Sequence, residues 1–231
     1  MLTPTQQHTL FVQRTVSTTE RGFDVLQKTL EGCVRSNERI CKKSLTLASV
    51  LSIMAESETQ ATSTMLESLS RIIKEREMAR QGLNARLESL VIAPLKLYGP
   101  ICTKLKADVK MRKVAMENER RKREQLDNAI LKEGGDQSTR SKISQSQMEL
   151  AGATQAVVGS TTALHTSVLT FEQRRREDLK SALSEIMWSE IQFHARSLEL
   201  LTDAHNILHT ANFEKDLEKI RIMLEGLKQS T

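Results

Sequence analysis

The 231-residue chain carries 34 basic against 29 acidic residues, a formal net charge of +5, and aromatic side chains make up only 3% of it. That length suits one large domain or two small ones with separate cores. The scarcity of aromatics, with only three prolines, favours long helices over sheets, because straight-chain residues keep most of their rotamer freedom in a helix. Apolar runs are a few residues long, far short of the roughly 20 that a membrane-spanning helix needs, so a spanning helix is excluded and any membrane contact is predicted to be peripheral.

Residues 1–11 lack the basic-then-apolar pattern of a secretory signal. With no acidic residue before Glu20, and with Arg14, they are faintly similar to a mitochondrial presequence. Leu10, Phe11 and Val12 near Arg14 form an amphipathic start that either wedges into a headgroup layer or caps the helical core.

From there, apolar residues recur at steps of three and four, which predicts helices packed on helices. The middle seam reads Leu66, Leu69, Ile73, Leu83, Leu87, Leu90, Pro94, Leu97, Ile101 and Leu105. The last reads Leu150, Val157, Leu164, Val168, Phe171, Leu179, Ala182, Ile186, Phe193, Leu200 and Ala204. The breaks predict helices at about 8–55, 60–132 and 139–210, with a short tail helix at about 213–228 inside a C-terminal segment 213–231. Gly134 and Gly135 mark a tip loop at 133–139, and Ser57-Glu58-Thr59 is a connector that can also cap the second helix. A helix of about 70 residues rises on the order of 105 Å, so the expected fold class is all-α: an elongated antiparallel three-helix coiled coil, rod or crescent. Pro94, Gly99 and Pro100 are predicted to bend the second helix. Leu87, Leu90, Leu95, Ile186, Trp188 and Phe193 concentrate bulky side chains on what should be a free edge, predicting an isologous homodimer.

Charge is uneven. Between Lys104 and Lys142 stand 12 basic and 7 acidic residues, which carries the whole excess. Candidate lipid-binding residues there are Lys104, Lys106, Lys110, Arg112, Lys113, Arg120, Arg121, Lys122, Arg123, Arg140 and Lys142, followed by a second cluster of Arg174, Arg175, Arg176 and Lys180. Such a surface suits anionic headgroups. The same charges, read blandly, are the solvated face of a long helix. Nucleic acid is disfavoured as a partner, because no aromatics interleave with the basic stretch and no zinc, RNA-recognition or helix-turn-helix signature occurs.

Neither a cofactor nor a metal is predicted. His205 and His209 are four apart but lack the intervening Glu of a zinc-protease helix and any third ligand. No phosphate-binding loop or nucleophile-elbow pattern is present, so the sequence offers no support for an enzyme. Cys33, Cys41 and Cys102 cannot all pair and have no metal spacing, which points to a reducing, cytoplasmic compartment, with Cys33 and Cys41 as small core or boundary residues.

In detail the sequence resembles the Chibby-interacting BAR-domain family. The matching stretches run from Cys33-Val34-Arg35 to Ala55-Glu56-Ser57-Glu58-Thr59, from Leu87-Glu88 through Val91-Ile92-Ala93-Pro94-Leu95-Lys96-Leu97-Tyr98-Gly99, and from Phe171-Glu172-Gln173-Arg174 through Phe193-His194-Ala195-Arg196-Ser197-Leu198-Glu199. The most specific is Pro94-Leu95-Lys96-Leu97-Tyr98-Gly99. The similarity spans most of residues 12–220 and weakens between about 104 and 150, where only helical character and basic charge are shared. The resemblance implies a BAR domain over residues 12–212: a homodimeric crescent that binds phosphoinositide- or cardiolipin-containing membranes, senses or generates curvature, and works with the small coiled-coil protein Chibby at the centriole-derived ciliary basal body. It also implies an alternative role in shaping the mitochondrial inner membrane. A coiled-coil protein scaffold with little lipid contact is the competing expectation from the residues themselves.

Overall fold

In the computed structural model, which describes residues 4–131 and 137–228, helices account for nearly everything. They are α1 (Pro4–Ala55), α2 (Gln60–Arg86), a π-helical stretch (Leu87–Ile92), α3 (Ala93–Lys96), α4 (Tyr98–Leu131), α5 (Gln137–Thr210) and α6 (Glu214–Lys228). The predicted helix at 60–132 is thus interrupted, and α5 begins two residues before the expected start. Most of the predicted tip loop, residues 133–136, lies outside the described residues.

The interruption has a local cause. Pro94 offers no N–H, and its ring clashes with the carbonyl four residues back. Ahead of it the backbone widens, and the Ala93 N–H bonds the Glu88 carbonyl five residues behind. After it, the Leu97 N–H reaches only to the Pro94 carbonyl, at 3.2 Å. Gly99 and Pro100 sit instead in the first turn of α4, where a missing N–H removes no internal hydrogen bond. The wider turn also advances the buried face by one residue. The core positions are Val91, Leu95, Tyr98 and Cys102, in place of the expected Leu90, Pro94, Leu97 and Ile101; the two registers rejoin at Leu105.

The residues cluster into two compact units, Met1–Leu26 with Pro94–Lys180, and Gln27–Ala93 with Ser181–Thr231. In the first unit, α1 runs antiparallel to α4 and α4 to α5, as cross-helix partners show: Glu20 with Lys106, Arg112 with both His8 and Thr161, and Lys122 with Glu149. Its core holds Val12, Val16, Phe23, Tyr98, Leu105, Leu164 and Phe171. The Tyr98 ring meets Phe23 edge-on at 4.4 Å between centroids, a contact worth about 1 kcal/mol beyond area burial. Its hydroxyl donates to Asp178 at 2.8 Å, and burial followed by that carboxylate raises the phenol's pKa.

The second unit is antiparallel in the same way. Asn37 pairs with Asn84, the Ser70 hydroxyl donates to the Ala48 carbonyl at 2.7 Å, and Arg86 reaches Glu185. Small residues at the seam, Ala48, Ala55, Ser70 and Ser189, are almost fully buried and allow close approach of the backbones. Glu77 is 0% exposed and takes Arg76 at 2.9 Å and Arg80 at 2.8 Å; Arg80 lies over the Phe193 ring at 4.6 Å. Burial pushes the Glu77 pKa up, but the two guanidinium partners outweigh it and hold the carboxyl below its ordinary value.

The start of α2 is capped from outside. Thr59 occupies the N-cap position but makes no side-chain cap of its own. Asp216 of α6 accepts instead from the Thr59 hydroxyl at 2.5 Å and from the Ala61 and Thr62 N–H groups at 2.9 and 3.3 Å. The expected capping role of Ser57-Glu58-Thr59 therefore passes to a residue far along the chain.

Candidate membrane-binding surface

All fifteen cations singled out in the sequence fall in the first unit, and their surroundings divide them into three kinds. Arg112 is a core residue, only 7% exposed. Its Nε donates to Thr161 at 3.1 Å, and its Nη1 lies 3.4 Å from the Thr9 hydroxyl and 3.5 Å from His8 Nδ1. This is a correction: at that position the side chain points between the three helices, and no bilayer can reach it. Burial, the neighbouring His165 and Arg112 itself all lower the His8 pKa.

The second kind is already paired, and exposed apart from the half-buried Lys122 and Arg175. Arg120 forks onto Glu117 at 2.8 and 3.0 Å and also contacts Glu124. Arg121 shares Glu117 at 3.1 Å, Arg123 takes Glu119 at 3.0 Å, and Lys122 crosses to Glu149 on α5 at 2.7 Å. Each cation of the densest basic run in the sequence is thus paired with a carboxylate, the three arginines at helical spacing on α4 and Lys122 across to α5. Hydrogen bonds from Arg120 and then Arg121 pull the Glu117 pKa down to about 2. Lys106 is tied to Glu20. In the later cluster, Arg175 and Arg176 share Glu172 at 2.8 and 3.1 Å, and Arg174 approaches Asp178 at 3.4 Å.

The third kind is exposed and has no ion pair or hydrogen bond with a described residue: Lys104, Lys110, Lys113, Arg140, Lys142 and Lys180. Lys110 and Lys113 share one flank of α4 with Lys106, whereas Lys104 is on the opposite flank. There, Lys104 and Arg174 meet across a groove between α4 and α5 that also involves Tyr98, Leu105, Asp108 and Phe171. The structure thereby brings together two cations from clusters that the sequence leaves far apart.

At the amino end of α1, Val12 is core while Leu10 and Phe11 face outward, so the segment both caps the core and displays apolar surface. Sequence reasoning missed another set on this helix. Arg14 and Arg21 in the first unit, and Lys28, Arg35 and Lys42 in the second, are exposed at seven-residue intervals; the interval itself was the available signal.

The second unit carries apolar surface. Of the residues expected at a free edge, Leu95 of the first unit and Leu87 and Phe193 of the second are buried within the chain, and Ile186 is half-buried, because they point into the helices' own seam. Leu90 and Trp188 remain 48% and 51% exposed. On α1 the exposed Ile40, Leu47 and Met54 each precede a buried residue, Cys41, Ala48 and Ala55. On α5, Leu183, Met187, Leu198, Leu201 and Leu208 lie exposed on one flank. His205 and His209 touch edge-on at 4.3 Å, and among the described residues no group of three or more His, Cys, Asp or Glu is placed to hold a metal ion. No helix among those residues is long and apolar enough to cross a membrane.

The fold is that of a BAR domain. The Amphiphysin BAR domain from Drosophila superimposes with a TM-score of 0.71 at 16% identity, covering 93% of this chain and 99% of that one. The Imp2 F-BAR domain does so with a TM-score of 0.66 at 12% identity, over 94% and 84%. The chain belongs to the family described as FAM92 protein, whose profile matches residues 1–218. Among curated relatives, it is 30% identical over 210 residues to CBY1-interacting BAR domain-containing protein 1 of Danio rerio, covering 91% of this chain and 70% of the relative. The like-named protein 1-A of Xenopus laevis is also 30% identical, over 91% and 73%.

Proposed function

We propose that this protein is a homodimeric peripheral membrane protein that holds anionic bilayers by electrostatic contact and senses or generates their curvature. The observation that carries the reading is a set of exposed cations with no ion pair or hydrogen bond to a described residue, Lys104, Lys110, Lys113, Arg140, Lys142 and Lys180 in the first unit. In the second unit the exposed Arg35, Arg39, Lys42, Lys43 and Lys74 likewise have no described carboxylate partner. Each basic side chain near an anionic surface contributes about 1 kcal/mol, so the two or three on any one face of a protomer, doubled by dimerisation, give reversible attachment. Phosphoinositides and cardiolipin are the headgroups that fit the resemblance. The relatives' names support a Chibby-like coiled-coil partner, with cilium assembly at the basal body as the setting.

Vesicle co-sedimentation at low and high salt tests the reading. Exposed lipid contacts are screened over a Debye length of about 10 Å at 0.1 M salt. Binding should require anionic lipid and fade as salt rises; a folded dimer that ignores anionic vesicles overturns the proposal. The full pairing of Arg120, Arg121, Lys122 and Arg123 with carboxylates favours the second reading, a coiled-coil scaffold, which salt-insensitive partner binding without lipid contact would support.

A further inference from the structure

The groove between α4 and α5 in the first unit lies on the flank of α4 opposite to Lys106, Lys110 and Lys113 and differs from that open cationic flank in its lining. Its floor is apolar, built by Tyr98, Leu105 and Phe171, which belong to the core. Its volume, about 610 Å³, is within the range of about 300–1,000 Å³ in which proteins hold small ligands. Lys104 enters it from α4 and Arg174 from α5.

Both cations are available. Lys104 makes no bond with a described residue. Arg174 uses only its Nε, at 3.4 Å, on an Asp178 carboxylate oxygen that also takes the Tyr98 hydroxyl at 2.8 Å, so its outer guanidinium nitrogens remain to donate. Thr166, Ser167 and Thr170 line the α5 side; the Thr166 hydroxyl donates to the Thr162 carbonyl at 3.2 Å, which leaves Ser167 and Thr170 as hydroxyl donors. One carboxylate, Asp108, also lines the groove and offsets one of the two positive charges.

We propose that this groove is a discrete site for the phosphate monoester headgroup of a single membrane phospholipid, of which phosphatidic acid is the simplest. A monoester presents three free oxygens and more than one negative charge near neutral pH. That matches a lysine, a guanidinium fork and hydroxyl donors better than a diester does, because charge-assisted bonds are the strong ones and a fork needs two oxygens. The apolar floor takes the glycerol ester region. The inference rests on the membrane-binding reading and adds to it a headgroup selectivity that a cationic flank alone does not provide.

The test uses the whole chain with phosphatidylcholine vesicles matched in surface potential by either phosphatidic acid or phosphatidylserine. The wild type should bind phosphatidic acid vesicles about tenfold more tightly, the factor expected for one or two added charge-assisted bonds. The double variant Lys104→Ala/Arg174→Ala should lose that preference. Lys110→Ala/Lys113→Ala should weaken both kinds of binding and keep it, and Asp108→Asn should enlarge it. Equal binding of the two vesicles by the wild type, or a preference that survives the double variant, overturns the site and leaves the membrane reading standing. Binding to neither vesicle overturns both. In solution, dihexanoyl phosphatidic acid should saturate the groove, read by chemical shifts of Thr166 and Thr170; saturation at the same concentration by inorganic phosphate overturns the lipid assignment.

Discussion

Thr59 and Asp216, 157 residues apart, share a 2.5 Å hydrogen bond that closes the start of α2 with a side chain from α6. The Thr59 hydroxyl, then the Thr62 and Ala61 N–H groups, hold the Asp216 carboxyl below its ordinary value despite the opposing effect of burial. Asp216→Ala should leave those amides without an acceptor and release the first turn of α6. Hydrogen exchange at Ala61 and Thr62 should quicken by about tenfold, the scale of a lost N-cap. A carboxyl with a depressed folded pKa contributes stability above its unfolded value of 3.8, and that contribution is lost as pH falls through the folded value. Acid should therefore loosen the wild-type cap only below about pH 4, whereas Asp216→Asn should show no such step.

Arg112 and Lys113 are adjacent in sequence and opposite in role. Arg112→Met removes donors that Thr161, Thr9 and His8 face inside the first unit. It should lower unfolding free energy by about 1–3 kcal/mol and leave vesicle binding by the folded protein unchanged. Lys113→Glu should do the reverse, with no change in the denaturation midpoint and weaker binding to anionic vesicles. Paired denaturation and co-sedimentation measurements separate the two.

The basic run at Arg120–Arg123 is held in reserve by its carboxylates. Glu117 has a pKa of about 2, set by its bonds to Arg120 and Arg121, so it stays ionised from pH 8 to well below pH 4. The pairing is complete above the ordinary 4.5 and is lost only as pH approaches 2. Mild acid therefore should not free these arginines. Glu117→Gln should free Arg121 while Arg120 stays on Glu124 and Arg123 on Glu119, raising affinity for anionic vesicles about fivefold, as one newly available cation would. Reversing the four basic residues should weaken binding far less than reversing Lys104, Lys110, Lys113 and Lys142.

Seam periodicity, scarce aromatics and the glycine pair at 134–135 made the all-helical plan readable, because each reflects a local rule. What escaped reading depended on one residue's effect on its neighbours. Pro94 predicts a bend, but the π-helical turn ahead of it also shifts the buried face by a residue and sends Leu90 and Leu97 outward. The basic clusters were also readable, but which cations are free was not. Pairings such as Lys122 with Glu149 or Lys106 with Glu20 join positions distant in sequence, and Arg112 differs from Lys113 only by the 100° that one residue turns on a helix. Asp216 as a cap gave no signal at all, since nothing near it in the sequence is a helix start that needs it.

The proposed dimer is expected to meet along the apolar flanks of the second unit. Leu201 lies on the exposed flank of α5 with Leu183, Met187, Leu198 and Leu208, and α1 shows Ile40, Leu47 and Met54 at seven-residue spacing. A charge placed in such a seam loses its hydration when the seam closes, a cost of several kcal/mol. Leu201→Glu should therefore weaken dimerisation by at least about thirtyfold, seen in sedimentation as a shift to the monomer mass at micromolar concentration. Leu169, in the first unit, is as exposed as any of these but lies outside the seam, so Leu169→Glu should leave the mass unchanged. Circular dichroism should show full helicity for Leu169→Glu, and for Leu201→Glu helicity that returns as protein concentration rises. If Leu201→Glu stays dimeric at every concentration, the α5 flank is not where the two copies meet. Loss of dimer in both variants would show that any added charge suffices and would remove the basis for placing the interface in the second unit.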